Sequence, residues 1–96
     1  MTGRPRRGWT VWTEEIPASV ILDMPPELSK MVLHFLHALG IEAGTAVDAN
    51  RKPPGDPMDD SGIRYSLEVP EESVIIEYAV IREERQIRVS ALVWFH

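Results

Sequence analysis

From Ile63 to the end of the chain, apolar and polar positions alternate with a period of two. Ile63, Tyr65, Leu67 and Val69 stand against Arg64, Ser66 and Glu68, which predicts a strand with one buried side and one polar side. PEES then predicts a turn, and VIIEYAVI, apolar but for Glu77, predicts a central strand covered on both faces. REERQ forms a charged hairpin tip. IRVSALVWF alternates again, with Ile87, Val89, Ala91, Val93 and Phe95 expected on one face and Arg88, Ser90, Leu92, Trp94 and His96 on the other. Short turns between three such strands predict an antiparallel meander.

The first half follows a different rule. In PPELSKMVLHFLHALG the apolar residues Leu28, Met31, Val32, Phe35, Leu36 and Leu39 recur at helical spacing, so one stripe of an amphipathic helix faces the core. Pro25 and Pro26 suit its first turn, and Gly40 is the expected stop. Ahead of it, IPASVILDM permits a short helix or turn, and WTVWTEE, rich in β-branched and aromatic residues, predicts a first strand beginning at Trp9. Residues 41–62, with their Pro, Gly and Asp, predict a long loop holding a basic spot at Arg51 and Lys52 and an acidic one at Asp56, Asp59 and Asp60. The element order is β-α(-α)-β-β-β. It predicts an α+β fold, an antiparallel sheet with helices packed on one face.

Length and composition narrow the reading. A chain of 96 residues supports one core, expected over residues 9–96, with a flexible basic tail at residues 1–8. The absence of cysteine removes disulfides, thiolate catalysis and iron–sulfur clusters. No apolar run approaches the ~20 residues of a membrane span, and the basic start lacks an apolar signal core, so the expected location is cytoplasmic. The net charge of −5 is unevenly spread. Arg4, Arg6 and Arg7 make residues 1–12 basic, and residues 13–96 carry −8. Contact with phosphate would therefore come from the N-terminal arm or from a few focused arginines.

The helix opening at MPPEL with its LSKMVLHFLHAL stripe, together with the ending IIEYAVIREERQIRVSALVWF, resembles the RelE/ParE toxin superfamily over residues 9–96. The resemblance implies a strand, a helical hairpin, a loop and a three-stranded meander. It also implies a toxin-like component of a bacterial toxin–antitoxin pair, acting as an endoribonuclease on messenger RNA, free or at the ribosome, or as an inhibitor of gyrase. Its expected partner is a cognate antitoxin protein wrapped around it. Departures from the family pattern are definite. The arginine expected at the start of the strand occupied by Val74, Ile75 and Ile76 is missing, and only His96 stands where a basic or His-Tyr pair closes the last strand. A noncatalytic interaction module on the same fold, or a homodimer paired through the last strand, is the competing reading.

With helices on one side of the sheet, the other side is expected to gather Arg64, Glu77, Arg88, Trp94 and His96. RNA cleavage through the 2′-hydroxyl needs a base, an acid and positive charge near the phosphorane. Glu77 fits the base, His96 the acid, Arg64 and Arg88 the phosphate clamp, and Trp94 a stacking platform for a base, with Arg51 and Lys52 as further nucleic-acid contacts. The alternative is a cross-strand ion pair of Glu77 with Arg64 or Arg88 on a solvated face. His34 and His37 lie three apart on the helix without a third ligand, and the loop aspartates lack a calcium-loop pattern, so neither metal nor cofactor is expected.

Overall fold

The computed structural model describes residues 8–96; the expected tail, apart from Gly8, lies outside the described residues. The elements are β1 (Thr10–Thr13), α1 (Glu15–Asp23), α2 (Pro26–Asp48), β2 (Asp56–Pro57), β3 (Arg64–Glu68), β4 (Val74–Ile81) and β5 (Gln86–Trp94). Strands β3, β4 and β5 form the antiparallel meander that the alternation predicts. β1 then joins the far side of β5 in parallel, and β2 adds to β3, giving a mixed five-stranded sheet in the order β1-β5-β4-β3-β2.

Pro25 and Pro26 separate the two helices. Their rings disfavour helical backbone at the preceding residue, and Met24 is accordingly extended, with its side chain buried. α2 starts at Pro26 as expected but does not stop at Gly40. It continues to Asp48, and Asn50 ends it in the left-handed conformation. The Asn50 N–H donates to the Val47 carbonyl and the Arg51 N–H to that of Ala46, which satisfies the last carbonyls of the helix.

Gly40 and Gly44 have another purpose. A Cβ at Gly40 would run into Val11, and one at Gly44 into Trp9, so both glycines let α2 lie directly against β1. The helical stripe is also shifted from its expected position. Val32, Leu36, Leu39 and Ala43 are buried, Leu28 and Phe35 pack at the margin, and Met31 is exposed.

These residues meet Tyr65 from β3, Ile76, Tyr78 and Val80 from β4, and Ile87, Val89 and Leu92 from β5. The helices therefore cover one face of the sheet only. β4 consequently alternates buried with half-buried positions instead of being enclosed on both sides. At the seam between β1, α2 and the turn before β5, Arg85 forms a two-pronged pair with Asp48 at 2.9 and 3.0 Å. Its guanidinium lies 5.1 Å from the Trp9 ring centre, and the Trp9 indole N–H donates to Asp48 at 3.2 Å. This cluster ties the start of the sheet to the end of α2.

Candidate functional site

Cα partners across a sheet share a face, so the register fixes what the open side displays. One row runs Trp12, Arg88, Ala79, Arg64 through β1, β5, β4 and β3. The next row contains Ala91, Glu77 and Ser66. Arg64, Glu77 and Arg88 therefore lie on one face, as the sequence predicts, with Glu77 one diagonal step from Arg64.

The cross-strand ion pair does not form. Among the described residues, the side chains of Glu77 and Arg64 make no hydrogen bond or close ion pair, and the Arg64 charge acts at longer range on Asp59. Arg88 is held by Gln86, whose Oε1 accepts from Nε at 3.2 Å and from Nη2 at 2.9 Å; Glu84 stands 3.9 Å away. Two of the five guanidinium N–H donors are thus used, and the group remains partly exposed.

Trp94 and His96 do not join this set. Between Glu77↔Ala91 and Tyr78↔Val89 the register slips by one residue, leaving Ser90 as a bulge whose hydroxyl donates to the Glu77 carbonyl at 3.4 Å. An extra residue reverses the alternation beyond it. Leu92 and Trp94 consequently turn towards the helices, where Trp94 packs against the core, and Ala91 and Val93 turn to the open side. The His96 ring stacks on Trp94 with centres 4.0 Å apart. Five residues of extended chain, about 16 Å, separate His96 from Ala91, the residue opposite Glu77. Glu77 and His96 therefore do not form an acid–base pair.

Arg51 and Lys52 also lie elsewhere. They are exposed beside Glu42, Thr45 and Ala46 at the C-terminal end of α2, on the helix side, where a cation complements the helix dipole.

The remaining titratable groups are structural. Tyr78 is buried and its O–H donates to the Pro54 carbonyl at 2.5 Å; burial, then the neighbouring Tyr65 and Glu42, pushes its ionisation well above the ordinary value. Asp59 accepts from the Ser61 hydroxyl at 2.5 Å and from the Ser61 N–H at 2.9 Å, which holds its carboxyl below the usual range. His34 and His37 are exposed on α2, and among the described residues no three His, Cys, Asp or Glu side chains converge as a metal site.

Two features escape the sequence reading. The aromatic character of Trp12 suggests core or edge packing, yet its alternation with buried-side Val11 sends it to the open face, where it is 56% exposed. Gln86, two residues before Arg88, is the group that fixes the arginine. On the helix side a groove of about 420 Å³ lies between β1 and α2, lined by Trp9, Val11, Thr13, Leu33, His37 and Ile41 among others. β1 is the terminal strand, so the outward backbone groups of this edge have no strand partner among the described residues.

No family model and no curated relative matches the chain. Solved structures do. The isolated E. coli RelE toxin is similar with a TM-score of 0.68 at 10% identity, over 93% of this chain and 86% of that one. An E. coli RelE mutant in complex with an antitoxin RelBc peptide gives 0.66 at 11% identity, over 94% and 86%. The chain thus has the α+β fold of the RelE toxin, and its helices, mixed sheet and bare sheet face are this chain's version of that fold. No helix among the described residues is long and apolar enough to cross a membrane.

Proposed function

We propose that this protein is the toxin-like component of a bacterial toxin–antitoxin pair and that it acts on RNA through the open face of its sheet. The observation that carries the reading is the set of two arginines and one carboxylate gathered on that face. Among the described residues Glu77 makes no side-chain hydrogen bond or ion pair, Arg64 has only the more distant charge of Asp59, and Arg88 is held by Gln86 with Glu84 at 3.9 Å, on a fold shared along nearly the whole chain with RelE. Two arginines about two strand spacings apart, roughly 10 Å, suit two nearby phosphates of a single strand, and the Glu77 carboxylate beside them can accept a 2′-hydroxyl proton. The similarity to a RelE bound to an antitoxin peptide supports an antitoxin partner here. The groove beside the free edge of β1 is the surface with the shape to receive an added strand.

A second reading keeps the fold and the binding but drops the turnover. It is favoured by the departure of His96, because cleavage requires a proton donor for the leaving oxygen. Among the described residues the row around Glu77 supplies only Ser66 and Ala91.

Tightly induced expression tests both readings. The wild type is expected to arrest growth, and the Arg64→Ala, Arg88→Ala double variant at equal soluble level is expected to grow. New transcript ends that vanish in Glu77→Gln mark cleavage; arrest without new ends marks the binding reading. Unimpaired growth with the wild type contradicts the toxin reading, and arrest that persists undiminished in the double variant contradicts the assignment to this face.

A further inference from the structure

We infer that Trp12 is a base-stacking residue and that single-stranded RNA lies across the strands of the open face, over the row Trp12, Arg88, Ala79 and Arg64. The inference rests on the RNA-acting reading above and adds to it the direction of the strand, the reading residue and the chemistry each position contributes.

The placement follows from the register. Val11 pairs with fully buried Ile87, so its neighbour Trp12 must project from the opposite side, beside Arg88. The indole is 56% exposed on the open face next to Arg88, so its ring is accessible to a base whose phosphate the arginine can meet. Beyond Arg88 stands Ala79, whose methyl group leaves a low floor between the two arginines. The row therefore reads aromatic, cation, gap, cation. Three strand spacings, about 14 Å, separate its ends, comparable with the four-stranded sheets on which other RNA-binding folds lay out two or three bases.

Charge favours nucleic acid over a protein partner on this row. Residues 13–96 carry −8 and hold only seven Lys and Arg, yet two of those seven stand in the row, which contains no acid. Gln86 immobilises Arg88 through two hydrogen bonds, and Glu84 stands at the edge of ion-pairing distance at 3.9 Å, so less side-chain freedom is lost when a phosphate binds. Glu77 lies in the adjacent row, beside the path of the backbone and not beneath it.

The test is fluorescence anisotropy of a short labelled oligouridylate with the full chain. Trp12→Ala is expected to bind roughly tenfold or more weakly, and Trp12→Phe to recover most of the loss, with melting temperatures unchanged because the ring is outside the core. The Arg64→Ala, Arg88→Ala variant is expected to flatten the log–log salt dependence by about 1.4, the share of two phosphates on a single strand. Binding by Trp12→Ala within about twofold of wild type, with the arginine dependence intact, overturns the role of Trp12 and leaves the sheet-face reading standing. Absence of any oligouridylate binding by the wild type, with Trp12→Ala instead releasing a co-expressed antitoxin, makes the row a protein interface and also overturns the inference. Trp12-dependent RNA binding without growth arrest supports the inference and removes the toxin reading, so the two fail separately.

Discussion

Gly40 and Gly44 occupy positions where alanine would ordinarily strengthen a helix by up to about 1 kcal/mol. Here the contact with β1 reverses the sign. Gly40→Ala drives a methyl group into Val11 and is expected to destabilise the fold by about 1–3 kcal/mol, measured by urea denaturation. Gly40→Ala combined with Val11→Ala should recover part of that loss, because the colliding group is removed; equal destabilisation in the single and double variants would show that the contact is not the cause. Gly40 was legible as a special residue, but the sequence pattern alone assigns it to a helix end. Only the crossing of α2 over β1 shows that the missing side chain, and not the backbone torsion, is what matters. Trp12 teaches a related lesson. Aromatic character suggests burial, whereas the parity of a strand, once Val11 is placed inside, decides that its neighbour is outside.

At the scale of elements, the period-two pattern located β3, β4 and β5, and the helical stripe located α2, because both depend on local spacing. What it could not show was the bulge at Ser90. One extra residue is invisible in a string of apolar residues that reads equally well in either parity, and it moved Leu92 and Trp94 to the core side and took His96 with them. The parallel docking of β1 was equally hidden, since it depends on contacts 76 residues apart in sequence.

The link between β4 and the loop after α2 offers a direct test. Tyr78 donates to the Pro54 carbonyl, and the buried hydroxyl retains its proton above 10.0, the ordinary tyrosine value. Above that pH the unfolded chain releases a proton that the folded chain keeps. Stability from this group is therefore complete below pH 10 and declines as pH rises towards the raised folded value. Tyr78→Phe should cost about 1 kcal/mol at neutral pH through the lost hydrogen bond and should flatten the alkaline decline. An unchanged alkaline slope in the variant would assign that decline to other groups.

The whole molecule is acidic, with its cations few and placed. Among the described residues, Arg85 is held by Asp48 and Trp9 at the seam, Arg51 and Lys52 stand at the end of α2, and Arg64 and Arg88 share the open face. An acidic body slows approach to RNA, so binding should be weak at moderate salt and depend on contact geometry more than on long-range attraction. On the proposed function, the bare sheet face and the groove beside the β1 edge would take the target and the controlling partner on different sides of the molecule. Nuclear magnetic resonance of the labelled chain, titrated with oligouridylate, separates them in one spectrum. Shift changes centred on Trp12, Arg64, Glu77, Ala79 and Arg88 are the expected result. Changes confined to the groove residues Leu33, His37 and Ile41, or no changes at all, would contradict the assignment of function to the open face.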